Sequence, residues 1–244
     1  MPLLEVRQLS KRFGAIVVAD AIDLSLEKGE CLGVIGPNGA GKSSLFALIS
    51  GSVYPDAGEV FLDGRTISRL PPHKRVRLGI GRAFQIPQPF SGLTVYENVF
   101  AASRFGAGAS ASTAREKARA VLATTGLIDQ ANRQAGSLTL LDRKRLELAK
   151  ALAVEARLLM LDEIGAGLTE REVDRLVETI AALKPDHAII WIEHIAHALK
   201  SVADRIAVLH FGRKLLEGPP EEVMGSAVVK EIYMGLGVDA ACPR

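Results

Sequence analysis

The sequence is short of several features that mark secreted, membrane-spanning or nucleic-acid-coating chains. Its 244 residues hold two cysteines, Cys31 and Cys242, far apart. No disulfide framework follows, and a reducing cytoplasm is the expected compartment. Neither sign of charge prevails: 30 Lys and Arg against 28 Asp and Glu leave a formal net charge of +2. That is too weak to make nucleic acid or an anionic membrane the main partner. Long apolar runs are also missing, since Ala188–Ile192 is among the longest and is far too short to span a bilayer. Met1-Pro2-Leu3-Leu4-Glu5 carries neither a basic n-region nor an apolar h-region, so no secretory leader is expected. The expectation is a soluble chain whose membrane role, if it has one, comes through a partner.

What is present is ordinary globular material, 48% apolar and 24% charged. The length suits one large α/β domain or a core with a smaller lobe. Within it, Gly36-Pro37-Asn38-Gly39-Ala40-Gly41-Lys42-Ser43 fits the order strand, G-x-x-x-x-G-K-[ST], helix. Cys31–Ile35 reads as the buried strand, and Ser44 to Ile49 as the opening of the helix. The glycines let successive N–H groups turn inward as a nest for phosphate oxygens. The helix start adds unsatisfied donors and a positive dipole end. Lys42 places a cation on the β- and γ-phosphates, and the Ser43 hydroxyl can bind Mg²⁺. The stretch predicts nucleotide binding.

Upstream, Leu3 to Leu9 alternates like a half-buried strand. Lys11-Arg12-Phe13-Gly14 reads as a turn, followed by separate β-rich runs at 16–18 and 22–26. Phe13 in that turn either stacks on an adenine face or is a rim residue of the sheet. Downstream, 51–58 is a loop by its Gly, Pro and Asp content, and Glu59 to Leu62 a strand closed by Asp63-Gly64. Pro71 to Arg77 reads as a short basic helix with a solvated face. Ile80 to Phe84 is a strand ending at Gln85. Thr94-Val95-Tyr96-Glu97 is a helix start of the capping-box type. Phe105 to Ser112 reads as a flexible loop and Ala114 to Leu122 as helix. Strands are expected at 157–163, at Ala188–Ile192 and at 206–209, with a helical stripe over 170–183 and helices from Pro219 onward. The alternation argues for a parallel sheet covered on both faces, with a mainly helical second lobe at 90–155.

In open parallel sheets, ligands sit at the carboxyl ends of the strands. Asp162, after four apolar residues, suits a Walker B acid that holds Mg²⁺. Glu163 follows it, and neighbouring side chains diverge at a strand end, so Glu163 suits a general base acting on water. Gln85 suits the metal shell and the attacking water, and His194 the γ-phosphate.

Taken together, these pieces resemble the ATP-binding subunit of an ABC transporter over the whole chain. They are Gly36–Ser43 with Ser44, a Q-loop at Phe84-Gln85, Walker B at 159–163 and a switch histidine at His194. The resemblance implies a P-loop NTPase (RecA-like) α/β core with an N-terminal antiparallel β subdomain and an inserted helical subdomain. The core would take 1–89 and 156–244, and the insert 90–155. It implies ATP and Mg²⁺, with Phe13, Gly36, Asn38, Gly39, Ala40, Gly41, Lys42, Ser43 and Ser44 on the nucleotide. Ser43, Gln85 and Asp162 would serve the metal, and Glu163, His194 and Gln85 hydrolysis. Gly81 to Gln85, Leu93 to Val99, Ile192-Glu193-His194 and Ile232-Tyr233-Met234-Gly235 look like branched-chain amino-acid importers. Such systems imply two membrane permeases, a second ATPase subunit or a second copy of this chain, and a periplasmic solute-binding protein. The place implied is peripheral, on the cytoplasmic face of the inner membrane.

One segment departs from the family. Its Leu-Ser-Gly-Gly-Gln signature corresponds to Leu138-Thr139-Leu140-Leu141-Asp142, with both glycines gone. In the family this segment meets the γ-phosphate of the opposite subunit, which implies that role for Thr139, Leu140 and Leu141. Thr139-x-x-Asp142 still reads as a capping box. Two readings stand: backbone donors work as usual, or bulk and the Asp142 charge impair the site and make a heterodimer asymmetric. Ile164 and Thr169 also replace the usual Pro and Asp or Asn. Among functions, an import motor is favoured over a lipid or export motor by resemblance. A non-transport ATPase would show a coiled-coil insert or a second P-loop, and a nucleotide sensor would lack Glu163 or His194.

Overall fold

A computed structural model describes residues 1–234. The side chains of Tyr233 and Met234, together with Gly235 and Cys242, lie outside the described part. In chain order the elements are β1 (Leu4–Phe13), β2 (Ile16–Leu26), β3 (Cys31–Ile35), α1 (Lys42–Ser50), β4 (Ala57–Leu62), β5 (Arg65–Thr66), α2 (Pro72–Arg77) and β6 (Ile80–Ala83). Three main helices follow, α3 (Val95–Ala101), α4 (Ala111–Thr124) and α5 (Leu140–Ala153). The rest is β7 (Leu158–Asp162), α6 (Glu170–Leu183), β8 (Ala188–Ile192), α7 (Ala196–Val202), β9 (Arg205–His210), β10 (Arg213–Gly218), α8 (Pro220–Gly225) and α9 (Ala227–Met234).

The strands form an antiparallel sheet ordered β2-β1-β4-β5 and a six-stranded sheet ordered β10-β9-β3-β8-β7-β6. In the larger sheet all neighbours are parallel except β10 against β9. Strands β3, β7 and β8 are buried at every residue, as expected where helices cover both faces. Successive side chains feed opposite faces. Leu159, Leu161, Ile189 and Trp191 join a core with α5 and α6, while Leu158, Met160, Ile190 and Ile192 join one with α1 and the antiparallel sheet. Each fully buried Leu or Ile contributes about 1.5–3 kcal/mol. This is the P-loop NTPase α/β core that the motifs imply.

Strand register levels the chemistry. Ala83 pairs with Leu161, Asp162 with Ile192, and Val34 with Ile192. The residues just beyond β6, β7, β8 and β3 therefore emerge together at one edge.

Several local expectations need correction. Lys11–Phe13 belong to β1, and the turn is confined to Gly14 and Ala15. The runs at 16–18 and 22–26 are one strand with bulges, one of them where Ala21 takes φ 50°. Phe105–Ala107 is no loop but a π-helical continuation of α3. Gly106 allows close packing there, because a Cβ would stand 2.8 Å from Val154 Cγ1. Helix α4 already begins at Ala111. Arg75 is not solvated: it is fully buried, and its guanidinium donates to the carbonyls of Leu48, Ile49, Ser68 and Leu70. Strand β10 had no sequence expectation. The Thr94 capping box is formed, with Glu97 N–H donating to Thr94 Oγ1 at 3.1 Å and Thr94 N–H to Glu97 Oε2 at 2.8 Å.

Candidate active site

The loop between β3 and α1 curls because Gly41 takes φ 102° at the helix N-cap, where a Cβ would lie 2.4 Å from the Val18 carbonyl oxygen. Asn38, Gly39, Ala40, Gly41, Lys42, Ser43 and Ser44 line one wall of a cleft of about 380 Å³, and Gln85 and Glu163 line the other. Lys42 Nζ is turned into its own loop, donating to Gly36 O at 2.7 Å and Pro37 O at 3.1 Å. Burial holds this ammonium below its ordinary pKa, opposed by Glu163 and Asp162. Phe13, at the end of β1, is half exposed and lines an adjoining recess with Lys11, Val18, Ser43 and Ser44. Lys11 Nζ stands 5.3 Å from the centre of its ring.

Across the cleft, Gln85, Glu163 and His194 meet. Gln85 Nε2 donates to Glu163 Oε2 at 2.5 Å, and His194 Nε2 lies 2.8 Å from Glu163 Oε1. Glu163 leaves β7 with φ 44°, a left-handed conformation that costs a non-glycine residue about 1–2 kcal/mol. Asp162 points the other way, as strand alternation requires. It is buried and bound at 2.6 Å by Arg82 of β6. Beneath them, Glu193 is buried and accepts from the N–H groups of Gly165 at 3.0 Å and His194 at 2.9 Å.

The donor set fits a nucleoside triphosphate and a hard cation. A glycine-shaped loop at a helix start faces the cleft for phosphate. The Ser43 hydroxyl in the first turn of α1 shares the cleft with the Gln85 amide and the Glu163 carboxylate, the oxygen ligands that Mg²⁺ takes, whereas Asp162 is held by Arg82 and does not line it.

Thr139, Leu140 and Leu141 line no part of that cleft. Thr139 caps α5, accepting from Asp142 N–H at 3.2 Å, while its hydroxyl donates to Asp142 Oδ2 at 3.0 Å. The box is thus one-sided, because the Asp142 carboxylate takes the hydroxyl rather than the Thr139 N–H. Gln130 also donates to Asp142 Oδ2, at 3.0 Å. Leu140 is exposed and Leu141 buried. Thr169 bonds within its own chain, its hydroxyl donating to Glu172 Oε2 at 2.8 Å.

Arg82, Lys144 and Glu193 fall within motifs or runs read from the sequence but were given no role of their own from it. Lys144 carried a signal: Leu141, Lys144 and Leu148 fall on one helical stripe, which places the lysine inward. Arg82 sat inside a strand with no partner visible nearby in sequence.

Residues 19–166 match the family described as ABC transporter. The chain is 36% identical to the high-affinity branched-chain amino acid transport ATP-binding protein BraF of Pseudomonas aeruginosa, over 96% of this chain and 98% of that protein. It is 34% identical, with the same coverage, to the corresponding protein LivG of Escherichia coli K12. A nucleotide-free ATP-binding cassette from an ABC transporter superposes with a TM-score of 0.87 at 27% identity, over 96% of this chain and 99% of that one. The ADP conformation of an ATP-binding cassette of an ABC transporter superposes with a TM-score of 0.87 at 28% identity and the same coverage. The chain is an ATP-binding subunit of the ABC transporter family.

Proposed function

We propose that this chain hydrolyses ATP to drive import of a hydrophobic amino acid, branched-chain amino acids foremost, through two membrane permeases. The observation that carries the hydrolytic reading is the Glu163 carboxylate, held by Gln85 and His194 at the mouth of the P-loop cleft. The substrate reading is supported by full-length likeness to two branched-chain amino acid transport proteins.

In this reading the loop 36–44 and Lys42 hold the phosphates, Lys42 exchanging its carbonyl partners for phosphate oxygens. Phe13 receives the adenine. Glu163 takes the proton of the attacking water, Gln85 orients that water, and His194 meets the γ-phosphate. Mg²⁺, when bound through Ser43 and Gln85, and through Asp162 once that carboxylate exchanges Arg82 for the ion, would offset charge on the phosphates. Thr139, Leu140 and Leu141 face the nucleotide of a second ATPase subunit, which completes the site in return. Residues 1–89 and 156–244 act as the ATP-binding core and 90–155 as the helical lobe. The permeases dock beside the exposed Phe84, Ile86, Phe90 and Phe105. A periplasmic binding protein delivers the solute, and the chain works at the cytoplasmic face of the membrane. No helix among the described residues is long and apolar enough to cross it.

The test is co-expression with the permeases and partner ATPase, assaying labelled leucine uptake and ATP turnover. Glu163→Gln is expected to lower turnover roughly 100- to 10,000-fold at its own site while ATP binding persists. Unchanged turnover removes the general-base role. Uptake of a sugar or lipid in place of leucine removes the substrate class.

A further inference from the structure

Lys144 belongs to α5, the helix that starts at Thr139, yet its side chain ends among the catalytic loops. It is buried. Its Nζ donates to the backbone carbonyl of Gln85 and, at 3.3 Å, to the backbone carbonyl of Glu163. These are the two residues whose side chains meet at 2.5 Å. One ammonium therefore ties the chain leaving β6 to the chain leaving β7, and ties both to the helical insert.

The placement is costly in solvation, since an ammonium gives up water for carbonyl oxygens. Burial pulls its pKa down, while the carboxylates of Glu193, Glu163, Glu147 and Asp162 oppose that shift. What the ammonium holds is unusual backbone. Glu163 sits at φ 44°, a region that non-glycine residues rarely enter. Its N–H is fixed by the Ile192 carbonyl at 2.8 Å, and its carbonyl by Lys144. With both ends of the residue pinned, the side chain has one direction in which to leave, toward Gln85 and His194.

We propose that Lys144 is a positioning residue for hydrolysis: it fixes the backbone angle of Glu163, and so makes the aim of that carboxylate depend on where α5 stands. This rests on the reading of Glu163 as general base. A displacement of the helical insert against the strands is then transmitted to the catalytic carboxylate through a single side chain, without any change at the P-loop.

The assay uses the complex with its permeases and partner ATPase, and measures kcat and KM for ATP together with binding of a fluorescent ATP analogue. Lys144→Met keeps the stem and removes the charge. It is expected to lower kcat roughly 100-fold, the scale of an ångström-sized misplacement, with KM and analogue affinity within about twofold. Lys144→Arg restores a large part of kcat. The double variant Lys144→Met/Glu163→Gln turns over no more slowly than Glu163→Gln alone, because both act through one group. A Lys144→Met enzyme with ordinary kcat overturns the proposal, as do losses that multiply in the double variant. If thermal melting shows that Lys144→Met does not fold, Lys144→Gln carries the same expectation, and ordinary kcat in it overturns the proposal. The two readings separate cleanly. An active Glu163→Gln removes the general base, whereas an inactive Glu163→Gln beside a normal Lys144→Met removes only the role of Lys144.

Discussion

Arg82 Nη2 stands 2.6 Å from Asp162 Oδ2, with the two side chains 16% and 9% exposed. The guanidinium carbon lies 4.7 Å from the centre of the Phe84 ring and 5.6 Å from that of Phe46. The buried carboxylate at the end of β7 thus has a counter-cation from the adjacent strand, stacked in place by two aromatic rings.

Removing one partner of such a pair strands the other. Arg82→Met is expected to destabilise the fold by about 3–5 kcal/mol, because Asp162 is left buried and unpaired. Adding Asp162→Asn to Arg82→Met should restore part of that loss. Urea denaturation of the three chains measures both effects, and a loss within 1 kcal/mol for Arg82→Met would contradict them.

At the start of α5 the Thr139 hydroxyl is spent on Asp142 within its own chain, and a carboxylate occupies the first turn. Both weaken the attraction of that helix start for an incoming phosphate. In a heterodimer, Glu163→Gln here and the equivalent change in the partner should therefore cost unequal shares of ATPase activity, the larger with Glu163→Gln. Equal losses would count against asymmetry.

Arg75 donates four hydrogen bonds to backbone carbonyls, two of them the terminal carbonyls of α1 at 2.7 Å and 2.8 Å. Burial lowers its pKa to about 10. A cation at a helix C-terminus is favourable, and each carbonyl left without a donor costs about 1–3 kcal/mol. Arg75→Met should then destabilise the fold by about 3 kcal/mol or more, read by thermal or urea unfolding.

Cys31 lies inside β3, and burial raises its thiol pKa to about 12. In the unfolded chain the thiol ionises near its ordinary value of about 8.5. Its contribution to stability is therefore complete below that value and falls as pH rises toward 12, by about 1.4 kcal/mol per pH unit. Comparing the unfolding of the protein and of Cys31→Ala from pH 8 to pH 10.5 isolates this slope. Under native conditions at pH 8, alkylation followed by peptide mapping should find Cys31 unmodified.

That Gln85, Glu163 and His194 gather at one edge was legible in the sequence because strand ends carry them. An apolar run buried on both faces stands out, and the polar residue that breaks it is the one at the carboxyl end, as at Asp162 and Glu163. Helix boundaries were legible where a capping pair announced them, as at Thr94 with Glu97. What stayed hidden were contacts between distant segments. Arg82 reaches Asp162 only through strand pairing across 80 positions, and Arg75 looked like one more exposed base in a basic run. The bulge at Ala21 split one strand into two apparent ones, because a local break in alternation resembles a turn. The run Phe105–Ser112 misled by composition, since small residues that suit a flexible loop also suit tight packing against Val154.

The position of β3 in its sheet has a consequence for how the protein is made. The strand that delivers the nucleotide loop is hydrogen-bonded on one side to β8 and on the other to β9. Both partners come from beyond residue 187, so a growing chain carries its P-loop sequence long before anything can hold that strand straight. Pairings of such long sequence separation form slowly, since chain closure is unfavourable until the contacts themselves are made. The phosphate cradle is thus synthesised well before the two strands that flank β3, and it takes its final shape only after both have been made.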